Sequence, residues 1–166
     1  MEGSCKNALG ILLLFGGGMS LAKALDVSGL AIWIDNQITA FGNFDLFLFL
    51  ILLVTAINFL TEVTSNVATT AMLLPVIALI ALELDTHPFI LMTAAAVAAS
   101  CAFMLPVATP PNAIVFGSGY LRISEMLKKG FLLNIISILI IVLMVYYLLP
   151  VVWEIDKDIF PKEFLD

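Results

Sequence analysis

Charge is scarce in this chain. Only 12% of the 166 residues are Asp, Glu, Lys or Arg, about half of what a soluble domain carries. A chain that is 62% hydrophobic, with a mean hydropathy of +1.13, cannot hide so much apolar surface from water. Its solvent is lipid. Basic residues are rarer still: seven Lys and Arg against thirteen Asp and Glu, a net charge of −6. No basic patch exists to neutralise phosphates, which excludes nucleic acid as a partner. Two cysteines, Cys5 and Cys101, make neither a metal-binding spacing nor a disulfide framework. The single histidine, His87, stands in an acidic turn before Pro88. No nucleophile–base–acid set is visible, so enzyme chemistry is not indicated.

What the chain has in quantity is apolar runs. A hydrocarbon core needs about 20 helical residues. Runs at 8–25, 45–60, 68–84, 88–120 and 131–150 are candidates. The first follows Met1–Lys6 without a small-residue cleavage site, and it reads as a retained span rather than a signal peptide. Residues 27–43 are too short and too polar to span. Leu30, Ile34, Ile38 and Phe41 fall at helical spacing there, and Trp33 suits the headgroup level, so an interfacial helix is expected. Residues 154–166 form a polar, acidic tail outside the bilayer.

Two interruptions stand out. The first is "TEVTSNVATT", Thr61 to Thr70, which separates two apolar runs with one charge, Glu62, and no basic residue. A loop that reached water would show more polarity. The expectation is a re-entrant helical hairpin over 45–84, its tip near 61–68 buried partway across the membrane. Non-helical backbone at that depth survives only within protein or beside an aqueous cavity. Ser65 or Asn66 is expected to cap the second arm. The second interruption is "LPVATPPNAIVFGSG", Leu105 to Gly119, inside the span expected at 88–120. Residues before prolines are pushed out of the helical region, so Ala108, Thr109 and Pro110 are expected to be extended, with the following half-helix starting near Asn112. A simple kink or a short exposed loop would explain either interruption alone. Together they suggest a two-sided site: half-helix N-termini attract anions, while unwound carbonyls and hydroxyls ligate Na⁺. Glu62 is a candidate functional acid or a local partner at the tip. "FGGG" at 15–18 suits close helix packing, and Asn134 and Ser137 suit interhelical hydrogen bonds.

If the hairpin returns to its starting side, Arg122, Lys128 and Lys129 lie opposite Asp26, Asp35, Glu83 and Asp85. The positive-inside rule then makes the basic loop 121–129 cytoplasmic and the C-terminus extracytoplasmic, in a multi-pass protein of the cell membrane.

The stretches "LLLFGGGMSLAKAL", "NFLTEVTSNVATTAMLLP" and "CAFMLPVATPPNAIVFGSGYL" closely resemble the divalent anion:sodium symporter family, whose members carry dicarboxylates, citrate or sulfate with Na⁺. The resemblance runs from Ala8 to Trp153. It implies an all-α membrane fold, an inverted-repeat, elevator-type transporter with a re-entrant hairpin in each repeat. This chain matches the second repeat alone. The resemblance assigns Ser65, Asn66 and Val67 to the second copy of the family's Ser-Asn-Thr signature. Asn66 would touch the substrate carboxylate, Thr109 and Pro110 would border the substrate, and Thr61, Thr64, Asn66 and Ala108 would surround a Na⁺. Val67 replaces the signature threonine, and family members with valine there look like carboxylate carriers. The function implied is the C-terminal half of a Na⁺-coupled dicarboxylate symporter. It would need no cofactor beyond the coupling Na⁺ and would work as a homodimer once the missing N-terminal repeat is supplied. A gene fragment, a subunit of a split transporter and a self-assembling half are the three ways to read its length. A sulfate carrier half and a non-transporting accessory protein are the alternative functions.

Overall fold

The computed structural model describes residue 13, residues 16–24, 27–29 and 45–156, and residue 161. Residues 8–12, 14, 15 and 25 of the span expected at 8–25, all but 27–29 of the interfacial helix expected at 27–43, and all but residue 161 of the tail after 156 lie outside the described residues. All regular structure among the described residues is helical.

α1 (Leu46–Thr61) starts at Asp45, whose carboxylate accepts the Phe47 N–H at 3.1 Å. It ends where the Thr64 hydroxyl donates to Leu60 O at 2.9 Å, competing with the helical ladder. α2 (Asn66–Glu83) begins after Ser65, which is extended at φ −74°, ψ 129°. Pro75 lies inside α2 and cannot donate to the Ala71 carbonyl. The helical residues 16–24 pack there: a Cβ on Gly18 would stand 2.9 Å from Ala71 O and 3.0 Å from Met72 O. The packing reading of "FGGG" therefore holds at Gly18, whereas a Cβ on Gly16 or Gly17 meets nothing within 4 Å.

α3 (Pro88–Ser100) has His87 as its N-cap. The imidazole Nδ1 accepts the Phe89 N–H at 3.3 Å and so caps the helix. Burial lowers its pKa, which keeps the ring neutral and able to accept. Ala94, Ala95, Ala98 and Ala99 are all buried, and these small side chains let α3 lie between α1 and α2. α4 (Pro110–Gly117) is short. α5 (Ile123–Leu143) packs on α1 and α3 and continues through a π-helical turn, Met144–Leu148, into α6 (Leu149–Trp153). The π turn precedes Pro150, which has no N–H for the ladder.

Leu50, Val54, Ile57, Ile90, Leu91 and Val142 form the packed centre. The outer face is equally apolar: Leu132, Ile136, Leu139 and Leu143 of α5 are exposed. Helices that are hydrophobic all round belong in a membrane. Among the described residues two helices, Asn66–Glu83 and Ile123–Trp153, are by length and composition long and apolar enough to cross one.

Two expected boundaries move. The last helix starts at Ile123 rather than near 131, so most of the expected basic loop 121–129 is its first two turns. Lys128 and Lys129 are good helix formers, and the Glu125 carboxylate reaches back to the Arg122 N–H at 3.1 Å. The span at 88–120 is interrupted over 101–109, upstream of the two prolines, which open α4 as its first two residues.

Candidate functional site

Both interruptions sit side by side. The tip between α1 and α2 faces the break between α3 and α4 across a cleft of about 490 Å³, lined by residues 62–67 and 107–110. Thr64, Ser65, Asn66, Val67, Ala108, Thr109 and Pro110 all border it. Thr61 does not. It is fully buried behind the cleft, and its hydroxyl lies 2.7 Å from Asn66 Oδ1 and 2.8 Å from Ala99 O. One hydroxyl proton serves those two acceptors, so Thr61 holds Asn66 by one end while tying α1 to α3.

The tip is the wall that offers N–H groups. Ser65 occupies the N-cap position but makes no side-chain cap bond. The Thr69 N–H returns to Ser65 O at 2.8 Å, leaving the N–H groups of Asn66, Val67 and Ala68 as the unladdered first turn of α2. The other wall differs from expectation. Ala108 closes a turn, its N–H donating to Leu105 O at 3.2 Å, and Pro110 is helical; only Thr109 is extended, at φ −142°, ψ 153°. Proline's fixed φ suits the first helical turn, which outweighs the pre-proline bias on Pro110. Pro110 and Pro111 have no N–H, the Asn112 N–H goes to Thr109 Oγ1 at 3.3 Å, and the Ala113 N–H goes to Thr109 O at 3.1 Å. The N-terminus of α4 thus has no spare donor for an anion. This wall offers oxygens instead.

The break is not a row of orphaned peptide groups. Continued as a helix, the N–H groups of Phe103, Met104 and Leu105 would donate to the carbonyls of Ala99, Ser100 and Cys101. All three turn to Glu62: Phe103 and Met104 donate to Oε1 at 2.8 and 3.0 Å, and Leu105 donates to Oε2 at 3.1 Å. The vacated carbonyls find α1 as well. Ala99 O accepts from Thr61, and Cys101 O accepts Asn58 Nδ2 at 2.6 Å. Asn58, Thr61 and Glu62 are spaced i, i+3, i+4, one face of a helix. That face replaces the missing turn of α3. Asn112 closes the far end, donating Nδ2 to Ala102 O at 2.9 Å and Leu105 O at 3.1 Å. Asn134 of α5 donates Nδ2 to Glu62 Oε1 at 2.8 Å, so the interhelical bond expected of it is present. Ser137 instead donates to Asn134 O within α5.

Sequence reading missed Asn58, the stapling role of Asn112, and the reach of Glu62, whose partners lie 41 to 43 residues on, and 72 residues on at Asn134. The available signal was three polar residues on one face of an apolar helix.

The chemistry of the cleft follows. Its lining holds one acid, Glu62, and no Lys, Arg or His. Among the described residues no group of three or more His, Cys, Asp or Glu could hold a metal ion. A hard monovalent cation would find hydroxyl and carbonyl oxygens. The Thr64 proton goes to Leu60 O, so Thr69 is the donor in the 2.6 Å contact between the two hydroxyls, and Thr64 keeps one lone pair.

The chain is similar to known proteins along most of its length. The sodium:sulfate symporter transmembrane region matches residues 4–153. A sodium-dependent dicarboxylate transporter, SdcS, of Staphylococcus saprophyticus is 48% identical over 147 residues. Its counterpart in Staphylococcus aureus strain MRSA252 is 50% identical over 147 residues. Each match covers 89% of this chain and 28% of the relative, so the chain spans just over a quarter of the length of these curated relatives. A break held open by buried side chains, beside a hairpin tip, in a chain that is apolar inside and out, thus occurs in a sequence that belongs to the sodium:sulfate, or divalent anion:sodium, symporter family of integral membrane transporters.

Proposed function

We propose that this chain is one repeat of a Na⁺-coupled symporter for C4-dicarboxylates, moving its cleft across the membrane in an elevator-type alternation. In this reading 45–84 is a re-entrant hairpin. α1 has 16 residues and is about 24 Å long, short of a hydrocarbon core of about 30 Å, which leaves its tip inside the bilayer. Ser65, Asn66, Val67, Thr109 and Pro110 contact the substrate; Thr64, Asn66 and Ala108 ligate Na⁺, with Thr61 behind them. An inverted repeat, on the same gene or a separate chain, completes the site, and the complete protein works as a homodimer. Arg122, Lys128 and Lys129 face the cytoplasm.

One observation carries the proposal: the cleft has an N–H wall, an oxygen wall and no basic side chain. A dianion entering it meets helix N-terminal donors but no compensating cation from the protein, and Glu62 opposes it. The site therefore favours an anion that arrives with Na⁺, which supplies the missing positive charge. That is the electrostatic basis of coupling. The relatives are sodium-dependent dicarboxylate transporters, which supports the same substrate class.

Proteoliposomes holding the complete transporter that contains this chain should take up succinate with an inward Na⁺ gradient and not with K⁺ in its place. Excess malate or fumarate should compete, and sulfate should not. Equal uptake in K⁺ would contradict the coupling; competition by sulfate alone would contradict the substrate class.

A further inference from the structure

We propose that Glu62 is a positioning residue that pins the break 101–109 to the hairpin tip and so fixes the distance between the two walls of the cleft. The role in ligand binding rests on the transport reading above; the pin itself does not.

The argument begins with burial. Glu62 is 4% exposed and ends α1 at the tip. A buried carboxylate is costly without partners, and here four donors converge on its two oxygens: the N–H groups of Phe103, Met104 and Leu105, and Asn134 Nδ2. Three consecutive peptide N–H groups aimed at one carboxylate fix the backbone that carries them. Two residues beyond Leu105 begins the second cleft wall, 107–110. On the other side, three residues after Glu62, stands Ser65, and then Asn66. The same side chain thus sits at the root of both walls. Ligands gripped from the two sides need that spacing, because hydrogen bonds and cation–oxygen contacts weaken steeply within fractions of an ångström.

Side-chain length and acceptor count both matter. Glu62→Gln keeps the length but turns one oxygen into an N–H₂ group, which faces N–H donors and cannot accept. Glu62→Asp keeps the charge but withdraws it by one methylene. A pin predicts that both variants fail alike. A simple charge attracting Na⁺ predicts that Asp is spared.

Hydrogen exchange on the transporter in detergent reads the pin directly. In the wild type the amides of Phe103, Met104 and Leu105 should be protected although they belong to no helix. Glu62→Gln and Glu62→Asp should each lose about 10- to 100-fold of that protection, the loss expected for a hydrogen bond to a charged group, while α3 amides at 92–98 keep theirs. In proteoliposomes the Na⁺ and succinate concentrations for half-maximal uptake should rise together, by about tenfold, per folded molecule; a merely structural role would lower the folded amount and leave both unchanged. If Glu62→Gln is not recovered folded, Asn134→Ala removes one donor of the four and should show the same pattern at a few-fold. Unaltered protection at 103–105 in the variants overturns the pin. Lost protection with unaltered half-saturation, or retention of function by Glu62→Asp, overturns the positioning role. Absence of Na⁺-dependent uptake in the wild type overturns the transport reading, and the exchange data then still decide the pin.

Discussion

Gly130→Ala is expected to displace the break and abolish uptake. A Cβ at this position of α5 would stand 2.6 Å from Met104 Cα and 2.7 Å from Phe103 C, and nearer still to Phe103 O. All three are backbone atoms, so no flexible side chain can swing aside. On an open helix the same change gains about 1 kcal/mol in propensity. Here overpacking opposes it, at about 1–3 kcal/mol, and the rigid neighbour puts the cost at the upper end. The break cannot retreat freely either. Its N–H groups at 103–105 are held by Glu62, and Asn134, one turn along α5 from Gly130, binds the same carboxylate. A net loss of about 2 kcal/mol in stability is expected, read as a lower unfolding midpoint in detergent, together with loss of uptake. Gly117→Ala is the contrast, since a Cβ there meets nothing within 4 Å. It should leave stability within about 0.5 kcal/mol of wild type. Equal behaviour of the two variants would show that α5 does not press on the break.

Asn66→Ala is expected to remove transport while sparing the fold. Asn66 is the first residue of α2 and lines the cleft. In the proposed site truncation would remove a contact to the substrate carboxylate and a contact to Na⁺, each of about 1.5–3 kcal/mol when charge-assisted, so uptake should fall by at least about a hundredfold. Folding loses little. Thr61 keeps Ala99 O as acceptor, and the Asn66 carbonyl still takes the Thr70 hydroxyl at 2.8 Å. The unfolding midpoint should move by only a few degrees. Uptake near the wild-type level would remove Asn66 from the site; a large fall in midpoint would assign it to the fold instead.

The contrast between these two residues shows what the sequence makes legible. Asn66 announces itself, a polar residue after Ser65 between two apolar runs, and Thr109–Pro110 does so as well. Both border the cleft. Gly130 does not, because a glycine in a helix gives no sign of which backbone approaches it. The extent of the break was hidden for a related reason. "TPP" marks where α4 begins, and local rules centred the interruption there. The helix actually ends at Ser100, because Glu62, Thr61 and Asn58 draw the peptide groups of 99–105 out of the ladder. No local propensity in "AASCAFML" encodes that; the cause is a helix face some 40 residues away. The start of α5 is obscured for the opposite reason: Lys128 and Lys129 are charges that favour a place outside the membrane and also good helix formers, and the helix takes them in. Alanines 94, 95, 98 and 99 carry no local sign of their role, which is to let α3 sit between both arms.

Everything proposed here requires that the hairpin tip and the break act as one binding site. Val67 and Val107 stand on opposite walls of the cleft and are 64% and 84% exposed, so a thiol at either should be reachable. With every native cysteine, Cys5 and Cys101 included, replaced by alanine, Val67→Cys and Val107→Cys can be labelled separately with a charged thiol reagent in the complete transporter. Both should react quickly in K⁺. Both should be shielded by Na⁺ and succinate together, with the same concentration dependence at the two positions. Shielding of one position alone, different concentration dependences, or no shielding at either would mean that the two interruptions do not share a ligand.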